Sequence, residues 1–279
     1  MLRLLNIEYH KLRHNKSART ITIVYFCLLA LIAVLASIKF DFGDVSVRLA
    51  EQGGIFNFPF IWHFNLWIAA LFKLFLAIVI VSMMANEYTH RTLKQNLIDG
   101  LSKREFVLSK FLTVVVYAAA STLFIYMVSL ILGLIFSDYT EIGIIFRNHE
   151  YVFAYFLKLV AFFSFCLFLG VLVKRSAFAL GFLLIWYIIE WVFYWVMESK
   201  LPDGSTLHKD ITQFFPLMSM QNLIIEPFSR INVVQSASSQ LGAEFTKSYD
   251  VTLLKIAIVS AWTVLFNYWS LLILKKRDL

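Results

Sequence analysis

Two ionisable side chains stand deep inside apolar sequence: Lys73 within the run Ile61 to Ala85, and Glu190 within the run Ala177 to Met197. Each lies about midway along a run long enough for a membrane helix, which needs about 20 residues. Both therefore belong near mid-bilayer. An unpaired charge there costs at least about 2.5 to 3.5 kcal/mol, so each must face protein or water. A shared depth invites a structural or gating ion pair between Lys73 and Glu190 beside a transport path. Two alternatives stay open: Lys73 snorkels to an interface, or Glu190 carries a proton. Around Glu190 lie Trp186, Tyr187, Trp191, Phe193, Tyr194 and Trp195. Trp186, Trp191 and Tyr194 are candidates for a hydrophobic substrate surface, although the preference of Trp and Tyr for the membrane interface explains the outermost aromatics without a ligand.

Covalent chemistry has little to work with. The histidines, His10, His14, His63, His90, His149 and His208, fall in loops or at the edges of apolar runs. No H-E-x-x-H, G-x-S-x-G, phosphate-binding loop or cysteine-histidine cluster occurs, so no catalytic residue and no metal site is assigned. An intramembrane enzyme built on Glu190 would need a second group at the same depth, and Lys73 is the visible candidate. If the chain belongs to a pump, ATP hydrolysis must come from another polypeptide.

The elements that position these residues are membrane helices. The chain is 60% hydrophobic and 15% charged, against roughly 25% charged in soluble domains. One transmembrane domain is expected, with no soluble catalytic domain. The net charge of +7 resides in bases beside apolar runs, where they orient the chain and meet anionic lipid, so nucleic-acid binding is not expected. Cys27 and Cys166 lie inside apolar runs and read as small buried residues.

The expected architecture is all-α: an interfacial elbow helix at 2–14, then six spans at about 20–38, 61–85, 106–136, 151–173, 177–197 and 251–274. The elbow follows from Leu2, Leu4, Leu5, Ile7, Tyr9 and Leu12 set among charged residues. A signal peptide ending near Ala36 competes with it, but the long amphipathic lead favours an uncleaved first span. Bases cluster in the segments assigned inside: Arg3, Lys11, Arg13, Lys16, Arg19, Lys174, Arg175, Lys275, Lys276 and Arg277. Acids such as Asp41, Asp44, Glu51, Asp138, Glu141, Glu198, Asp203, Asp210, Glu226, Glu244 and Asp250 mark the outer loops. Both termini are accordingly expected in the cytoplasm. An outer loop spans 39–60, with Gly53, Gly54 and Pro59 as breakers. The long outer segment 198–250 opens on a Pro202-Asp203-Gly204 turn and carries apolar patches at 214–218 and 223–225. These are too short to span and read as interfacial helices, re-entrant helices or a plain loop. Ala118 to Ser121, Ser129, Gly133 and Ser137 give the third span a stripe of small residues suited to close packing within the subunit. The spans read as nearly continuous, whereas a carrier would show broken helices at mid-bilayer.

The stretch Asn86 to Lys110 is polar and basic, with Arg91, Lys94, Lys103, Arg104 and Lys110 between two apolar runs. It reads as a cytoplasmic loop. Thr89 can cap a short helix bearing Leu93, Leu97 and Ile98, Gly100 can end it, and Ser102 with Glu105 forms a capping box for the next.

The order Glu87, Thr92, Leu97, Ser102, Arg104 and Lys110 resembles the loop after the second membrane helix of ABC-2 type permeases, which reads E-x-x-x-G-T, then Pro or Gly, then S-R and a Lys. Arg91 stands where that family usually has Gly, Gly100 stands near its usual Pro, and Lys103 separates Ser102 from Arg104. The resemblance implies that residues 86–105 carry a coupling helix seated in a groove of an ATP-binding subunit. It implies Glu87, Arg91, Thr92, Lys94, Leu97 and Arg104 as the coupling residues, and 198–250 as an outer cap. It also implies two permease subunits, alike or different, paired with two ATP-binding subunits in the cell (inner) membrane. ATP and Mg would sit on the partner, with no cofactor on this chain. Export of a hydrophobic or amphipathic cargo (peptide, drug or lipid) would follow. The alternative keeps the topology but drops ATP coupling: a channel, carrier or scaffold whose basic loop docks another cytosolic protein.

Overall fold

A bilayer offers backbone amides no partners, so spanning segments must satisfy them internally as helices. The computed structural model describes residues 2–37, 39–42, 45–48, 54–202, 205–230 and 248–277. Ile38, Asp44, Glu51, Gly53, Asp203, Gly204, Glu244 and the rest of 231–247 lie outside the described residues.

Helix α1, Leu2–His14, occupies the position of the expected elbow. Asn15 then separates it from α2, Lys16–Ser37, and caps α2 by accepting from the Ala18 amide (3.1 Å). A two-stranded antiparallel hairpin follows, β1 (Lys39–Phe42) on β2 (Val45–Arg48) with Lys39 opposite Arg48. The fold class is all-α as expected, and this hairpin is a small addition in a segment read as a plain loop.

The second span comprises two helices, α3 (Phe60–Leu71) and α4 (Lys73–Thr89), bent by 45° at their junction. The expectation of a continuous helix is thereby corrected. Phe72 donates to the Ala69 carbonyl and Phe75 to the Phe72 carbonyl, both at 3.1 Å, so the ladder tightens locally to i→i−3 and swings the axis. Neither Pro nor Gly marks the place. Next come α5 (Thr92–Ile98), α6 (Lys103–Phe136), the short α7 (Ile142–Ile145), α8 (Glu150–Val173) and α9 (Ser176–Lys200). The outer segment contributes α10 (Leu207–Thr212), α11 (Pro216–Asn222) and a 3-10 turn, Phe228–Arg230, before the last span, α12 (Leu253–Lys276). Five of these helices are long and apolar enough to cross a membrane, or six spans counting the bent pair as one.

Helix α8 is the centre of the bundle. It packs against α12, α4, α6, α9 and α3, and 72% of its most apolar window is buried, against 17% for α9. In lipid, apolar burial between helices gains little over lipid contact, so close packing and polar contacts across helices select the arrangement. The Tyr25 and Tyr155 hydroxyls meet at Ser121, Asn65 donates to Ser129 (3.0 Å), and Asn267 donates to Ser164 (3.1 Å). Gly133 lies so near the Phe58 ring that a Cβ there would overlap it. Ala118, Ser121, Ser129 and Gly133 of α6 are buried in packing inside the subunit, whereas Ala119 and Ala120 of the same stripe are exposed.

Helix α1 and the end of α12 lie at one end of the bundle. Lys103, opening α6, donates to the Arg277 carbonyl (3.0 Å), and Lys11 of α1 reaches Glu87 at the end of α4 (2.8 Å). Arg277 in turn donates to the Val171 and Leu172 carbonyls that close α8 (2.6 and 2.9 Å). This is the basic end. At the other, Trp62 donates to the Ile145 carbonyl (2.8 Å), and Tyr151 to that of Tyr249 (3.0 Å).

Candidate functional site

At the basic end four helices converge on one buried lysine. Lys110 of α6 is 1% exposed and ion-paired to Glu8 of α1 (2.6 Å) and Glu87 of α4 (2.5 Å). Lys11 adds a second base at 2.8 Å from Glu87. Two acids thus meet two bases. The remaining carboxylate oxygen of Glu87 accepts from Thr92 Oγ1 (2.5 Å) and Asn96 Nδ2 (3.4 Å), both on α5. Charge-assisted contacts of this kind are roughly twice as strong as neutral ones, so Glu87 fastens α5 to the spans.

The backbone around α5 fixes where the helix starts and stops. Arg91 adopts a left-handed conformation (φ 55°) at its start. Thr89 does not cap it, contrary to expectation: α4 runs on through Thr89, whose hydroxyl donates back to the Ala85 carbonyl (3.1 Å). Gly100 (φ +94°) ends α5 with paired bonds, its own amide to Leu97 and that of Leu101 to Asn96. Both carbonyls at the helix end are thereby satisfied. Ser102 and Glu105 form the expected capping box of α6.

The six residues assigned to coupling divide into two groups. Arg91, Lys94 and Arg104 are exposed. Glu87 is buried, Thr92 is half-buried on Glu87, and Leu97 is half-buried against the core beside fully buried Leu93. Ile98, 70% exposed, is the large apolar side chain that α5 turns outward. Sequence reasoning had grouped it with Leu93 and Leu97.

The expected ion pair of Lys73 with Glu190 is not formed. Glu190 accepts from Trp186 Nε1 (2.7 Å) and from the backbone amides of Leu217 (3.2 Å) and Met218 (2.8 Å). Those amides open α11, where a carboxylate is favoured by the unpaired N–H groups. Insertion of α11 among α8, α9 and α12 thus gives Glu190 a partner that Lys73 was expected to supply. Lys73 instead lies over the Phe162 ring, 4.5 Å from its centroid.

Lys73 lines a cavity of about 680 Å³ bounded by α3, α4, α8, α9 and α11. Trp191 and Tyr194 line it, as does Tyr187, whereas Trp186 turns to Glu190 and packs edge-on against Phe165. A second lysine, Lys158 of α8, faces the same space and is 4% exposed. Sequence reasoning missed it, although the rule that flagged Lys73, an ionisable residue within an apolar run, applies equally. Among the described residues no cluster of three or more His, Cys, Asp or Glu could hold a metal ion.

Comparison with curated proteins gives no match. A family model described as ABC-2 family transporter protein matches residues 4–279. With a helical bundle of five or six candidate spans and a short helix fastened at its basic end, the chain belongs to that family and is a multi-pass membrane protein, the permease subunit of an ABC transporter.

Proposed function

We propose that α5 is the coupling helix through which an ATP-binding cassette subunit drives this permease. The observation that carries the reading is the contrast between the two faces of α5. Its inner face is held by Glu87 and the Lys110 cluster, while its outer face offers Arg91, Lys94 and Ile98. A partner groove with an apolar seat for Ile98 and acids around it fits that surface. The basic end then faces the cytoplasm, in keeping with the excess of Lys and Arg there. ATP and Mg²⁺ are held by the partner, whose closure presses on α5. Glu87 and Lys110 pass the displacement to α4, α6 and α1 together, so these helices move as a unit. Two permease subunits, alike or different, flank the transport path. The cargo is hydrophobic or amphipathic and moves outward.

Glu87, Thr92 and Leu97 act in this scheme as the root of α5, and Arg91, Lys94, Ile98 and Arg104 as its contact face. In vesicles to which the permease and the ATP-binding subunit are added together, Ile98→Asp should abolish cargo-stimulated ATP hydrolysis while the chain still inserts and keeps its unfolding midpoint. Leu97→Asp should lower that midpoint as well, because Leu97 packs on the core. Undiminished cargo-stimulated hydrolysis in Ile98→Asp would overturn the assignment of α5.

A further inference from the structure

Lys73 and Lys158 line one cavity, and among the described residues neither ammonium has an ion pair or a hydrogen bond. One carboxylate, Glu226, shares the wall, and its oxygens accept from the Ser229 amide (3.2 Å) and hydroxyl (2.5 Å). Among the described residues of the wall, two bases stand against one acid. The rest of the wall is suited to an apolar body, with Trp67, Phe162, Leu183, Leu184 and Trp191 on three helices. Gln221 and Asn222 of α11 add amide donors at the edge. Two amines kept inside an apolar bundle stay protonated only beside an anion, loss of a proton being the alternative.

We propose that this cavity binds an amphipathic anion, a carboxylate or phosphate held between Lys73 and Lys158 with its hydrocarbon or aryl part against the aromatic wall. Buried ammonium groups gain most from a charged acceptor, and the cavity's size accommodates a headgroup together with part of a chain. Lys73 opens α4 directly after the bend at Phe72, so an anion seated there also touches the joint between the two halves of the second span. The same chemistry is offered by an anionic lipid headgroup and by a diffusible amphipathic anion. Reading the second as cargo rests on the permease function, whereas binding does not.

The full chain, purified in neutral detergent with any subunits that accompany it, is titrated without ATP with dodecanoate, dodecanol and phosphatidylglycerol, and binding is read by native mass spectrometry. One dodecanoate or one phosphatidylglycerol should bind at saturation, and dodecanol should bind more weakly by about 10-fold or more. Lys158→Gln and Lys73→Gln should each weaken the anion by about 10-fold, while Lys158→Arg, which keeps the charge, and Lys276→Gln, at the basic end, should hold wild-type affinity. Phosphatidylglycerol displacing dodecanoate would identify a lipid headgroup as the occupant, and dodecanoate binding alone would identify a diffusible anion. Equal binding of dodecanol and dodecanoate, or wild-type affinity in both glutamine variants, would overturn the proposal. Because no ATP is present, these outcomes are independent of whether α5 couples to a partner.

Discussion

Lys110 and Lys158 are both buried lysines on spans of the same bundle, and their surroundings differ. Lys110 is met by Glu8 and Glu87 at ion-pair distance, with Lys11, Thr92 and Ser109 completing the polar cluster. Lys158 shares an apolar-walled cavity with a second lysine. The first arrangement neutralises itself and fastens helices together. The second is left with charge to spare, which suits a site and adds nothing to the scaffold. Burial of a charge therefore says little until its partners are counted.

Removing the charge should have opposite effects at the two sites. Lys110→Met takes the buried base from between Glu8 and Glu87 and leaves half-exposed Lys11 as the one base beside two acids, and loss of one partner from a buried pair costs about 3–5 kcal/mol. The unfolding midpoint in neutral detergent should fall accordingly. Adding Glu8→Gln and Glu87→Gln to that variant should recover most of the loss, since the buried charge is then gone. A single Lys110→Met chain as stable as wild type would show that the cluster is not what holds α5 and α1 in place.

Lys158→Met should go the other way. A lysine at mid-bilayer costs about 2.5–3.5 kcal/mol on insertion scales and one nearer the end of its span costs less, so removal of Lys158 should leave the ligand-free midpoint unchanged or raise it. A marked loss of stability would reveal a partner for Lys158 and erase the contrast with Lys110.

Glu190 sharpens the comparison from the acidic side, because its compensation comes from backbone. Glu190→Leu leaves the Leu217 and Met218 amides without their acceptor, at about 1–3 kcal/mol, and hydrogen exchange across 216–222 should accelerate. Lys73→Gln should leave that exchange unchanged. If both variants loosen α11 alike, Lys73 and Glu190 are coupled after all. The smallest effect is expected at the basic end: Ser102→Ala removes one capping bond of α6 and should cost about 1 kcal/mol, read in the same unfolding assay.

The parts legible in the sequence were those with a local signature. Runs such as Lys103–Phe136 announce helices by hydropathy, Ser102 with Glu105 announces a cap, and Gly100 announces a helix end. Glu87 and Lys110 were noticed as loop residues of one motif, yet their joint burial required α1, whose Glu8 is far away in sequence. The bend at Phe72 left no trace because the tightening of the ladder there involves backbone bonds between ordinary apolar residues. The partner of Glu190 is hidden for a similar reason: backbone amides at the start of α11 are invisible to residue type, and the sequence shows only a charge at the same depth, Lys73. Lys158 lies nearer the start of its apolar run than Lys73 does, where snorkelling would satisfy it, and only the packed bundle turns it into the cavity.

The most direct test of the coupling role of α5 is purification of the tagged chain from its native membrane in mild detergent, wild type beside Ile98→Asp, with mass spectrometry of accompanying proteins. If α5 is the docking element, a stoichiometric subunit with a phosphate-binding loop accompanies the wild type and is lost from Ile98→Asp, while the unfolding midpoint of the chain stays the same. Retention of that subunit at full stoichiometry by Ile98→Asp, or purification of the wild type without any ATP-binding protein, would contradict it.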